Sequence, residues 1–188
     1  METNSTITPV SRAGAAAKTR SMTKMALCVA LLSVSAYISF PLPFTPTVVT
    51  ALTIIVNLVA FLLRPREAFL VLLTWILLGS AGVPVFAGGT AGAGKLVGPT
   101  GGFIVSFLVA AWVMSKLRGD SNSFRKMVLL GLLVGMPVIY IGGCLSMYFV
   151  AHISVWATLV SAVFPFIFGD VVKVFMAAFL ATRINKLL

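Results

Sequence analysis

Residues 163–188 read "VFPFIFGDVVKVFMAAFLATRINKLL". A membrane-crossing helix needs about 20 predominantly apolar residues, and this run supplies them, yet Asp170 and Lys173 stand inside it. Three residues apart, the two share one face of a helix. Ionisable residues at membrane depth face a bundle interior or a cavity and mark a substrate or ion path. The alternative is an ion pair that only fixes helix packing. Even when paired, a carboxylate keeps spare acceptor sites and an ammonium spare donors. Those groups suit a small ligand that carries both N–H donors and carbonyl or carboxylate acceptors. Gly169, beside them, lets a ligand approach closely.

The rest of the chain is equally apolar. Of 188 residues, 60% are hydrophobic and 10% charged, with a mean hydropathy of +1.10. A soluble domain of this length cannot hide that much apolar surface, so the composition indicates an integral membrane protein. The net charge of +10 does not indicate nucleic acid, because the basic residues flank apolar runs as topology signals and anionic-lipid contacts. Cys28 and Cys144 fall within expected spans and read as small buried hydrophobes. His152 is the only histidine and has no Cys, Asp or Glu close in sequence, so neither a metal site nor a cofactor is expected.

Residues 1–22 are small, polar and basic and read as a disordered cytoplasmic tail. "VSA" ending at Ala36 resembles a signal-peptide cleavage site, but the charge pattern requires the first apolar run to stay. Residues 23–188 then form one transmembrane substrate-binding domain: all-α, with six spans at roughly 23–40, 47–63, 67–84, 101–117, 127–149 and 158–182. Their breaks carry turn chemistry in "PLPFTP", "RPRE", a long Gly-rich segment, "RGDSNSFRK" and "HIS". With the N-terminus in the cytoplasm, the inner side receives Arg12, Lys18, Arg20, Lys24, Arg64, Arg66, Lys116, Arg118, Arg125, Lys126, Arg183 and Lys186. The outer side receives only Lys95, which is the partition the positive-inside rule demands with both termini inside.

The Gly-rich segment runs from Gly79 to Gly102. Its "GTAGAGK", Gly89 to Lys95, imitates a phosphate-binding loop, but Leu96 stands where a magnesium-holding Ser or Thr belongs and no strand precedes it. Irregular backbone at membrane depth is tolerated where it lines a cavity, so the segment is expected to be a lid over an outward-facing pocket. Thr100 is placed to cap the fourth helix. Tyr140, Asn57 and Tyr37 are the remaining polar candidates for the interior. Asn57 is expected in a helix-to-helix hydrogen bond, and Tyr37 and Trp156 at a membrane interface. Ala26 and Ala30 in "ALCVA" form a small-xxx-small face that permits close packing.

"PVFAGG" (84–89), "GPTGG" (98–102) and "PFIFGDVVK" (165–173), in this order within six spans, resemble the BioY family, the biotin-specific substrate-binding component of energy-coupling-factor (ECF) transporters. The resemblance covers nearly the whole chain from Met22. It implies a non-enzymatic protein of the bacterial inner membrane that captures biotin from outside. Its implied partners are a transmembrane coupling protein, met through Ala26 and Ala30, and two cytoplasmic ATPases.

Asp170 and Lys173 match the family motif and would contact biotin. The carboxylate suits the ureido N–H groups, and the ammonium suits either the ureido carbonyl or the valerate carboxylate. Phe86 and Phe103 would enclose the ring and alkyl chain, with Gly88, Gly89, Gly98, Pro99, Thr100, Gly101, Gly102, Gly169 and Tyr140 completing the implied site.

Three positions depart from the family pattern: Phe103 replaces a usual Tyr, Ala91 and Gly92 replace a "GG", and Leu52 stands where a Gln is common. Two other classes compete. A proton-coupled secondary transporter would use Asp170 as its titrating group and would show repeat symmetry, which the sequence lacks. An intramembrane enzyme would need a nucleophile and base or a metal set, and one Asp with one Lys supplies little of either.

Overall fold

The computed structural model describes residues 9–41 and 48–187. Residues 1–8 of the expected tail lie outside that range, as do residues 42–47, which hold most of the "PLPFTP" break. The described chain is predominantly helical. In order it forms α1 (Pro9–Ser35), β1 (Ser39–Pro41), β2 (Val48–Thr50), α2 (Leu52–Leu62), α3 (Pro65–Ser80) and α4 (Gly101–Arg118). There follow α5 (Phe124–Leu130), a π segment (Gly131–Gly135), α6 (Met136–Ala151), α7 (Val155–Ala162) and α8 (Phe164–Leu187). α4, the continuous helix Phe124–Ala151 and α8 are each long and apolar enough to cross a membrane. Large apolar side chains cover the outside, among them Phe149, Leu133 and Phe168, the last 82% exposed. Such a surface belongs against lipid.

Four expectations change. Residues 9–22, read as tail, are the first turns of α1. Pro9 fits a first helical turn, and the run of Ala, Lys, Arg and Met that follows has high helix propensity. The chain is not purely helical, because β1 and β2 pair antiparallel with Ser39 opposite Thr50. The β-branched Val48, Val49 and Thr50 favour that extended form. The second expected span is an 11-residue helix, about 16 Å long against a hydrocarbon core of about 30 Å. The sixth is two helices, because Pro165 cannot extend α7 and instead opens α8 in its first turn.

α2 ends inside the protein, and its last carbonyls find side-chain donors. The Arg118 guanidinium donates to the Ala60 and Leu63 carbonyls, Ser115 Oγ to Leu63 at 2.6 Å, and Asn185 Nδ2 to Phe61 at 3.1 Å. Arg118 is 8% exposed. It is therefore a buried cap that places a cation at a helix C-terminus, beyond the topology signal its position in sequence conveyed.

The π segment has a local cause as well. Pro137 lacks an N–H, and its ring would clash with the carbonyl four residues earlier, so the helix widens before it. α4 packs along α6 and also touches α3 and α2, while α8 lies on α2. The α4–α6 approach is set by glycine: a Cβ on Gly102 would strike the backbone carbonyl of Gly142.

Gly102→Ala is therefore expected to lower stability by about 1–3 kcal/mol through overpacking. Gly94→Ala, whose Cβ meets open space, should stay within about 0.5 kcal/mol. Thermal unfolding in detergent distinguishes them, and equal losses would contradict the packing account.

Candidate functional site

A cavity of about 310 Å³ opens between α2, α4, α6, α8 and the segment that joins α3 to α4. That volume falls at the lower end of small-molecule pockets, roughly 300–1,000 Å³. Its walls are largely aromatic and aliphatic: Trp75 from α3, Phe103, Ile104 and Phe107 from α4, Ile139 from α6, Phe166 from α8 and Phe86 from the joining segment. Trp75 and Phe86 meet edge to face at 5.2 Å. Trp75 Nε1 donates to the Val85 carbonyl at 3.1 Å, tying the segment down onto α3. Gly79 makes this possible, since a Cβ there would fall within the Phe86 ring.

The polar end of the cavity is built on Asp170, 8% exposed. Lys173 Nζ donates to Oδ1 at 2.9 Å, and Thr53 Oγ1 donates to the same oxygen at 3.3 Å. Tyr140 Oη donates to Oδ2 at 2.7 Å. A carboxylate offers about four acceptor sites; three are filled, which leaves one on Oδ2. Lys173 uses one of its three donors on Asp170. Three helices thus converge on one anion. The cluster neutralises itself and still presents one acceptor and two donors to whatever enters the cavity.

Of the residues singled out in the sequence, Asp170, Lys173, Tyr140, Phe86, Gly88, Thr100 and Phe103 line the cavity. Gly89, Gly98, Pro99, Gly101, Gly102 and Gly169 do not. Gly89 takes a φ of 69° beneath the Tyr37 ring, Gly101 sits on the Leu96 carbonyl, and Gly102 serves the α4–α6 contact. The Gly98 carbonyl accepts from Ser146 Oγ at 3.0 Å. Gly169 faces open space. Thr100 holds the N-cap position of α4 without a side-chain bond to the helix. Among the described residues Asn57 makes no helix-to-helix bond: its Nδ2 donates to the Thr53 carbonyl on its own helix, and its Oδ1 has no partner there.

Sequence reasoning missed Thr53, Trp75, Phe107 and Phe166. Thr53 and Asn57, four apart in an otherwise apolar helix, mark a polar stripe on α2 that points to its contact with α8. Leu52, noted as a departure, lines the cavity beside Thr53. Ala26 and Ala30 lie on the exposed side of α1.

A family model described as the BioY family matches residues 5–188. The chain belongs to the BioY family. A biotin transporter BioY of Thermotoga maritima is 36% identical over 168 residues, covering 89% of this chain and 97% of that protein. A probable biotin transporter BioY of Pyrococcus horikoshii is 35% identical, covering 89% and 98%. Among solved structures, the S-component for biotin from an ECF-type ABC transporter superposes with a TM-score of 0.85, covering 90% of this chain and 92% of that one. Identity with it is 22%, so this likeness shows a shared fold.

The buried pair in this BioY-family chain generates a direct test. Asp170→Ala leaves the Lys173 ammonium without its anion, whereas Asp170→Ala combined with Lys173→Met removes both charges. The single variant is expected to lose about 1–3 kcal/mol, and the double variant to unfold at a higher temperature than the single. A double variant less stable than Asp170→Ala would contradict the account of Lys173 as a charge held in place by Asp170.

Proposed function

We propose that this chain captures biotin at the outer face of the bacterial inner membrane as the substrate-binding component of an ECF-type transporter, without chemistry of its own. The observation that carries the reading is the Asp170 cluster: an anion held by α2, α6 and α8, with one free acceptor and two free donors at the end of an apolar cavity. Biotin combines the complementary parts. Its ureido ring has two N–H donors and a carbonyl, and its thioether ring and alkyl arm are apolar. One ureido N–H takes the open site on Asp170 Oδ2, and Lys173 donates to the ureido carbonyl. Trp75, Phe86, Phe103 and Phe107 enclose the apolar remainder.

The names carried by family relatives support the same ligand, and the fold likeness supports the same kind of assembly. In this reading the chain crosses the membrane six times with both termini in the cytoplasm. α1, α2 and α3 complete the set begun by the three long helices, and the charge partition supplies the orientation. Residues before the first crossing form the cytoplasmic start of the chain. The segment between α3 and α4 is the lid, held by the Trp75–Val85 bond and the Phe86 ring. Ala26 and Ala30 leave a shallow face on α1 against which a transmembrane coupling protein packs. Cytoplasmic ATPases attached to that protein supply the energy.

Equilibrium binding to the purified, detergent-solubilised chain tests the proposal. Biotin should bind saturably, dethiobiotin should compete and thiamine should not. Asp170→Asn and Lys173→Ala should each weaken biotin at least about tenfold while the protein stays folded. Unchanged biotin affinity in both variants would remove the site from the cluster.

A further inference from the structure

Of the three donors on Asp170, Thr53 is held most loosely. Its hydroxyl stands 3.3 Å from Oδ1, against 2.9 Å for Lys173 and 2.7 Å for Tyr140. Hydroxyl hydrogen bonds to oxygen ordinarily span about 2.5–3.0 Å, so this contact is the one a competing donor displaces most readily. Thr53 is half-buried and lines the cavity, within reach of whatever enters it.

One turn deeper on α2 lies an acceptor without a donor. Asn57 is 3% exposed. Its Nδ2 reaches back to the Thr53 carbonyl at 2.7 Å, which brings the two side chains together on one face of the helix. Its Oδ1 has no hydrogen-bond partner among the described residues. That oxygen faces the π segment, where a Cβ on Gly131 or Gly135 would stand 3.3 or 3.6 Å from it. The same two positions meet Val174 of α8 and Met114 of α4, and neither side chain can donate. A buried acceptor left bare lowers stability. Leucine, which branches at the same atom, would carry no such penalty.

We propose that Thr53 is a donor with two positions and that Asn57 is its second acceptor. In the empty cavity the hydroxyl rests on Asp170 Oδ1. When a ligand donor arrives, Thr53 turns about χ1 and gives its hydrogen to Asn57 Oδ1. Threonine occupies two χ1 rotamers within helices, so the turn needs no backbone movement. The bonds balance: the ligand takes the acceptor site that Thr53 leaves, and the bare amide oxygen gains a donor. On the biotin reading, on which this proposal rests, the ureido N–H at Oδ2 is then shared with Oδ1. Asn57 does not line the cavity. It is a positioning residue that acts through Thr53, and the two glycines of the π segment leave its amide room.

Biotin binding to the purified full chain, with thermal unfolding measured alongside, tests this in the wild type, Asn57→Leu, Thr53→Val and the double variant. Asn57→Leu should weaken biotin about threefold to tenfold, the worth of one hydrogen bond, yet unfold at the wild-type temperature or above it. Thr53→Val leaves Oδ1 open from the start, so it should bind biotin more tightly than the wild type. In that background the loss caused by Asn57→Leu should vanish, whereas Thr53→Ser, which keeps the hydroxyl, should preserve it. Unchanged affinity in Asn57→Leu, or the same loss with and without the Thr53 hydroxyl, would overturn the proposal. So would a Thr53→Val variant that binds biotin more weakly than the wild type, a result that decides alone if Asn57→Leu does not fold. A folded wild-type chain that binds no biotin would overturn the biotin reading itself, and this proposal with it.

Discussion

A carboxylate withdrawn from solvent is tolerable only where donors surround it, and Asp170 obtains its donors from three helices. Thr53 comes from α2, Tyr140 from α6 and Lys173 from the next turn of α8. Each element must present its donor at the right angle, and each has a local feature that sets it. α2 begins at Leu52, so Thr53 falls in its first turn. Pro165 restarts the chain as α8, which places Asp170 in the second turn. The π segment adds a residue ahead of α6, and one extra residue turns everything downstream by about 100°. That rotation decides which face Tyr140 occupies.

The opposite end of α2 is held by the same kind of accounting for backbone groups. Its terminal carbonyls cannot be left bare in an apolar interior, and Arg118, Ser115 and Asn185 satisfy them. Arg118 and Ser115 stand at the end of α4 and Asn185 near the end of α8. A helix too short to cross the membrane alone is thus fixed at both ends, by Thr53 on the anion and by its capped carbonyls. The aromatic walls lie between these fixed points. The cavity is in this sense a consequence of two polar constraints.

Much of this was legible in the chain. Asp170 and Lys173 announced themselves as charges in an apolar run, Tyr140 as a polar group within a span, and Phe86 and Phe103 followed from the resemblance to the BioY family. The glycines were legible as a group but not in their separate tasks. Gly102 permits helix contact and Gly79 seats the Phe86 ring, whereas Gly169 meets nothing. Which glycine faces a ligand depends on tertiary neighbours that no local pattern encodes. Thr53 escaped notice because its partner is 117 residues away. Arg118 was read only as a cytoplasmic topology charge, because its burial depends on where α2 stops. Helix ends were blurred for a related reason: hydropathy reports apolar length, and α1 continues through basic and small residues that are good helix formers without being apolar.

The proposed seat of the polar ring of biotin is the Asp170 cluster. A crystal structure of the purified chain grown with biotin tests that most directly. The ureido group should lie within hydrogen-bonding distance of both the Asp170 carboxylate and the Lys173 ammonium, with the thioether ring between Trp75 and the α4 phenylalanines. Biotin bound elsewhere, or bound in this cavity with its ureido group turned away from an intact Asp170–Lys173 pair, would contradict it.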